Sequence, residues 1–136
     1  MPDLIQSVAG LPAFFLYFVT SLILLGLFLR VYTWVTPYNE WDLIRKGEVA
    51  AAISLSGAVV GFVLPLASAI AHSVNLLDMM VWGAIALVVQ LLVYFIVSRL
   101  IPHLGEAIIH GGRAQAALLA VLSLGVGIVN AACMTY

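Results

Sequence analysis

The sequence predicts an all-α fold: a polytopic membrane protein of four transmembrane helices, built as two tandem helical hairpins with a short interfacial helix at each cytoplasmic link. Three observations carry that expectation. The chain of 136 residues is 65% hydrophobic and only 8% charged, whereas a water-soluble domain is roughly 45–50% apolar and about 25% charged. Residues 4–29, 49–77, 79–98 and 114–136 contain no Asp, Glu, Lys or Arg, and about 20 apolar residues suffice to cross the hydrocarbon core. All five basic side chains fall at two links, Arg30, Arg45 and Lys46 at the first and Arg99 and Arg113 at the second. This composition excludes a soluble enzyme domain and a disordered tail. A net charge of −1 offers no basic surface for phosphate, which excludes a nucleic-acid partner.

Span one is expected near Leu11–Tyr32. Residues 1–10 carry an acidic rather than a basic side chain, and the apolar run Leu11–Leu29 exceeds a signal h-region of about 7–15 residues. The segment therefore reads as a retained anchor. In the first link, TPYNEWDLIRKGE, Asn39 is placed to cap a short helix. Glu40 and Asp42 lie in its first turn, Arg45 and Lys46 in its last, and Gly47 where a left-handed terminator belongs. Span two is expected near Val49–Ala71, with a Gly57-to-Gly61 GxxxG spacing and Pro65 in its outer half. Such small residues let helix backbones approach, and the proline frees a carbonyl near Gly61.

Span three is expected near Met79–Ser98, with Gln90 at mid-depth, and span four near Ala114–Cys133, with Ser123, Gly127 and Ala131 at four-residue steps. The intervening link, PHLGEAIIHGGR, opens on Pro102 and ends on Gly111-Gly112. It reads as a second interfacial helix. Strands fit worse, because the windows lack alternation and exceed a barrel strand of about 10 residues. Helices satisfy every backbone group internally, as hydrocarbon demands.

Short loops rich in Lys and Arg stay on the cytoplasmic side. Both basic links are therefore expected in the cytoplasm and both termini in the periplasm. Tyr32, Trp34, Tyr38 and Trp41 would mark the inner boundary, and Trp82 and Tyr136 the outer one. An offset of 65 residues superimposes the links and aligns Pro37 with Pro102, Gly47 with Gly112 and Ala51-Ala52 with Ala116-Ala117. This suggests a duplication of 11–75 and 76–136, with copies sharing one orientation about an axis along the membrane normal.

Within the spans, Ser56, Gln90, Ser123 and Asn130 are read as intramembrane polar residues that join helices. Asn130 stands opposite Pro65 in the repeat and is expected to answer the carbonyl that the proline frees. No acidic or basic residue lies at mid-membrane, which argues against a proton-coupled pump. His103, Glu106 and His110 share a helix face, but the two histidines stand two turns (about 10 Å) apart, too far to share one ion unaided. No metal, cofactor or catalytic residue is assigned. The single cysteine, Cys133, forms no intramolecular disulfide and no CxxC motif.

Several blocks in one order carry a resemblance: Thr36-Pro37 followed by Asn39-Glu40-Trp41, Ser56-Gly57 with Gly61 and Pro65-Leu66, Trp82-Gly83 with Ile85-Ala86-Leu87 and Gln90-Leu91, and Asn130-Ala131-Ala132-Cys133-Met134-Thr135. With these the chain resembles the bacterial YjfL family, inner-membrane proteins grouped as a domain of unknown function. The resemblance covers nearly the whole chain and implies a polytopic inner-membrane protein without an assigned activity. It also implies genomic neighbourhood with membrane-remodelling proteins of the phage-shock type and polyamine-linked ligases.

The function expected is a non-catalytic, homo-oligomeric platform in the lipid bilayer of the bacterial inner membrane. Its cytoplasmic face (Asn39, Glu40, Trp41, Arg45, Lys46 and Arg113) would engage a membrane-associated protein or anionic lipid. The alternative is a small channel or facilitator using Gln90, Asn130 and the Pro65 bend.

Overall fold

A computed structural model describes residues 2–134, all-helical and without a strand among them. The elements are α1 (Pro2–Ala9), α2 (Leu11–Val35), α3 (Glu40–Arg45), α4 (Val49–His72), α5 (Leu76–Leu100), α6 (Leu104–Ile109) and α7 (Arg113–Cys133). Four apolar stretches are long enough to cross a membrane: Leu4–Val35, Val49–His72, Leu76–Leu100 and Arg113–Cys133. Four spans are expected and four are found, with the short helices α3 and α6 in the links; the first stretch begins at Leu4 rather than near Leu11, because residues 2–9 form a helix of their own, α1. Tyr136 lies outside the described residues.

Local chemistry explains the helix ends. Asn75 accepts from the Asp78 backbone N–H at 2.8 Å, capping α5. Pro12 sits in the first turn of α2, where its missing N–H costs nothing. Pro65 lies inside α4, which nevertheless runs unbroken to His72.

The two links meet at one end of the bundle, the connector end: Gly105 of α6 sits against the Pro37 ring and Tyr38, which precede α3. The opposite, terminal end holds α1, the α4–α5 turn and the end of α7. The tightest packing is between α4 and α7. Gly57 backs onto Ala120, and Gly61 onto Ser123 and Gly127, so closely that a Cβ on any of the three glycines would collide with the facing backbone. Farther along, the Ser68 hydroxyl donates to the Ala131 carbonyl at 3.0 Å. Partner numbers rise together, so these two helices run parallel. Small residues at four-residue steps make the approach possible, which is how van der Waals contact joins helices in lipid.

A second parallel pair is looser. Gly83 of α5 receives Leu24 of α2, and the Tyr32 and Tyr94 rings meet edge to face at 5.8 Å. Phe28 of α2 stacks on Phe62 of α4 at 4.5 Å. Only Leu24, Phe28 and Tyr32 of α2 are buried. Phe14, Phe15, Phe18 and Leu22 face outward, where lipid replaces water as their solvent. An apolar cleft of about 560 Å³ opens between Phe14, Phe18 and Leu22 of α2 and Val63, Leu66 and Ile70 of α4. The central helix is α4: half of its apolar window is enclosed, against 11% for the first span.

Tyr32 and Tyr38, expected in an interfacial ring, are instead enclosed at 1% and 7% exposure. Tyr32 follows Leu24 and Phe28 at four-residue steps, so helical register carries it into the bundle. Trp34, 84% exposed, and Trp41, 43% exposed, remain on the outside.

Candidate functional site

The connector end is built by two capped turns. The Asn39 Oδ1 accepts from the Asp42 backbone N–H at 3.3 Å, and its Nδ2 donates to the Asp42 carboxylate at 3.2 Å. Gly47 (φ +85°) and Gly111 (φ +81°) turn the chain out of α3 and α6 in left-handed conformations, which glycine adopts without a Cβ penalty. His103, with φ +60°, starts α6 from the same region at a steric cost. The Glu48 carboxylate lies beside Gly111, bringing the end of α6 to the start of α4.

Asn39, Trp41, Arg45, Lys46 and Arg113 are exposed at this end. Arg45 pairs with Asp42 at 3.7 Å and His103 with Glu106 at 3.7 Å, both largely in solvent, where such pairs contribute little. No group of three or more His, Cys, Asp or Glu side chains among the described residues is placed to hold a metal. Between α2 and the first link, Arg30, Trp34 and Trp41 line an open cleft of about 500 Å³ floored by Thr36 and Tyr38.

Glu40 corrects the expectation of an exposed interaction face. Its side chain is fully enclosed, and neither carboxylate oxygen makes a well-formed hydrogen bond, although the Thr36 hydroxyl and the residue's own backbone N–H lie near it. The hydroxyls of Tyr32 and Tyr38 are enclosed and unpartnered as well. Burial pushes the Glu40 carboxyl up to about 7, against the opposing effects of the Thr36 hydroxyl and its own backbone N–H. The Thr36 hydroxyl itself is directed at the Thr33 and Tyr38 carbonyls. Burial also raises the Tyr38 phenol above its ordinary value, with Tyr94 and then Glu40 adding to the shift. A signal was present in the sequence: positions 40, 43 and 44 share a helix face, and Leu43 and Ile44 pack on the core. Reading Glu40 only as a first-turn acid missed it.

The second site lies midway along α4, α5 and α7. The Gln90 side chain is fully buried, and its Nε2 donates to the Gly61 carbonyl at 2.9 Å and to the Ser123 carbonyl at 3.0 Å. Gly61 is four residues before Pro65, so its carbonyl is the one the proline leaves without a helical donor. The expectation that Asn130 fills this role is overturned: Gln90, from α5, reaches the freed carbonyl from the side. Asn130 is half-buried with an enclosed, unpartnered Nδ2. Gly57, Gly61, Pro65, Ser123 and Gly127 gather along the α4–α7 seam. Ser56 does not; it is exposed and lines a shallow cleft with Ile44, Gly47 and Glu48.

Comparison with known proteins places these features in a family. A family model described as Domain of Unknown Function (DUF350) matches residues 6–134. The UPF0719 inner membrane protein YjfL of Escherichia coli (strain K12) is 42% identical over 127 residues, covering 93% of this chain and 96% of its own. The UPF0719 transmembrane protein YshE of Bacillus subtilis (strain 168) is 33% identical over 118 residues, 85% of this chain and 88% of its own. No solved structure matches the chain. A four-span helical protein matched from residue 6 to residue 134, and across nearly the full length of YjfL, belongs to the DUF350 (UPF0719) family of integral membrane proteins, to which no activity is assigned.

Proposed function

We infer that this chain is a non-catalytic platform of the bacterial inner membrane, with its connector end in the cytoplasm and both termini in the periplasm. The observation that carries this reading is the meeting of the two links at one end of the bundle, where Gly105 of α6 sits against Pro37 and Tyr38, with Trp41, Arg45, Lys46 and Arg113 exposed there. Cationic connectors are retained inside. An aromatic ring beside cations, held on capped turns, suits a membrane-associated protein partner. The relatives named as inner membrane and transmembrane proteins agree with the location. Self-association belongs to this reading, with the exposed face of α2 as the available surface.

Conduction through the bundle has weaker support. Both Gln90 donors are taken by backbone carbonyls, and the α4–α7 seam around them is packed to backbone contact. The test of the platform is recovery of a cytoplasmic partner from detergent extracts. Replacing Trp41 and Arg45 by alanine is expected to abolish co-purification while membrane insertion is unchanged. Undiminished recovery overturns the reading.

A further inference from the structure

Glu40 is the only fully enclosed carboxylate among the described residues, and the platform reading gives it no role. It sits in the first turn of α3, fully enclosed, with neither oxygen in a well-formed hydrogen bond. An uncompensated buried carboxylate is among the costliest groups a fold can hold, and it resolves that cost by taking a proton or a partner charge. The groups that face it are neutral. Tyr32 comes from α2, Thr36 and Tyr38 from the link and Tyr94 from α5, with Ser54 of α4 beside Tyr38. No Lys, Arg or His among the described residues pairs with it. Its neighbours on α3 divide by face: Leu43 and Ile44 pack on the core, while Asp42, Arg45 and Lys46 stay outside. Glu40 is therefore the polar member of the surface by which α3 docks.

We propose that Glu40, enclosed where α3 packs on the bundle, is a proton-binding site whose occupancy latches α3 in place. With the proton on, the carboxyl is neutral and its enclosure buries no charge. With the proton off, a bare charge lies beneath a helix of six residues, too short to hold itself folded. The charge reaches water by swinging α3 outward, which carries Trp41, Arg45 and Lys46 away from the bundle. A carboxyl midpoint of about 7 places this change within the ordinary cytoplasmic range.

The latch is tested on the full chain in detergent, in a Cys133→Ala background because Cys133 is exposed and free. A cysteine at position 44 reports the docked face, and one at position 46 reports a site exposed in either state. The ratio of their labelling rates by a water-soluble maleimide cancels thiol ionisation. Between about pH 6 and about pH 8.5 that ratio is expected to rise roughly tenfold, the ratio of ionised fractions either side of a midpoint near 7. With Glu40→Gln it should stay at its acidic value throughout. A second measurement needs no variant to dock correctly: infrared titration of the wild-type chain should show a protonated carboxyl band persisting at about pH 6, well above an ordinary glutamate. A flat labelling ratio, an equal rise with Glu40→Gln, or an ordinary carboxyl titration overturns the proposal.

Discussion

At the scale of single residues, Gln90 does two things at once. One amide nitrogen bridges carbonyls on α4 and α7, so α5 is tied to the seam at the point where Pro65 leaves a helical bond unmade. Gln90→Leu keeps the volume and removes both donors. It is expected to destabilise the bundle by about 1–2 kcal/mol, in keeping with interhelical hydrogen bonds in membranes, read as a lower denaturation midpoint in mild detergent. Asn130→Ala breaks no hydrogen bond shown for its side chain and should shift that midpoint less. The reverse order would show that Asn130, not Gln90, serves the kink. The sequence supplied both amides and the proline. It could not choose between them, because the choice depends on which helix faces Gly61.

At the scale of elements, the α4–α7 seam is governed by the volume of its glycines. A Cβ at Gly61 would meet the Ser123 carbonyl and the Gln90 amide, whereas Gly125, on the same helix as Ser123, has nothing within 4 Å of such an atom. Gly61→Ala is therefore expected to force the helices apart and cost about 1–3 kcal/mol. Gly125→Ala should be neutral or slightly stabilising, since alanine is the better helix former by up to about 1 kcal/mol. Thermal midpoints of the two purified variants check this, and equal losses would count against the seam. The stripe of small residues was legible in the sequence; which helices it joins was settled only by the α4–α7 contact. The short helices were legible too: Asn39, Gly47 and Gly111 are local signals that act within a few residues. What the pattern of caps did not reveal is that α3 turns its acidic first residue inward.

At the scale of the whole molecule, the parallel pairing of α2 with α5 and of α4 with α7 supports a proposed duplication, since each pair joins corresponding helices of the two hairpins. Orientation is the property most open to direct test. A membrane-impermeant thiol reagent applied to intact spheroplasts should label native Cys133, which is exposed at the terminal end, and should spare cysteines placed at positions 45 and 113 in a Cys133→Ala background until the membrane is opened. Labelling of positions 45 or 113 from outside would invert the platform and place its cations in the periplasm.

That there are four apolar spans, that short helices fill the links, and where the cations collect were determined by the sequence alone. Hydropathy, capping and charge placement are properties of contiguous residues, and they act before any helix meets another. The tertiary structure decided that α2 lies at the rim, that Gln90 rather than Asn130 serves the proline, and that Glu40 and two tyrosines are sealed from solvent. Those outcomes depend on the azimuth at which one helix presents itself to the next, and a small rotation exchanges a buried side chain for an exposed one without altering hydropathy.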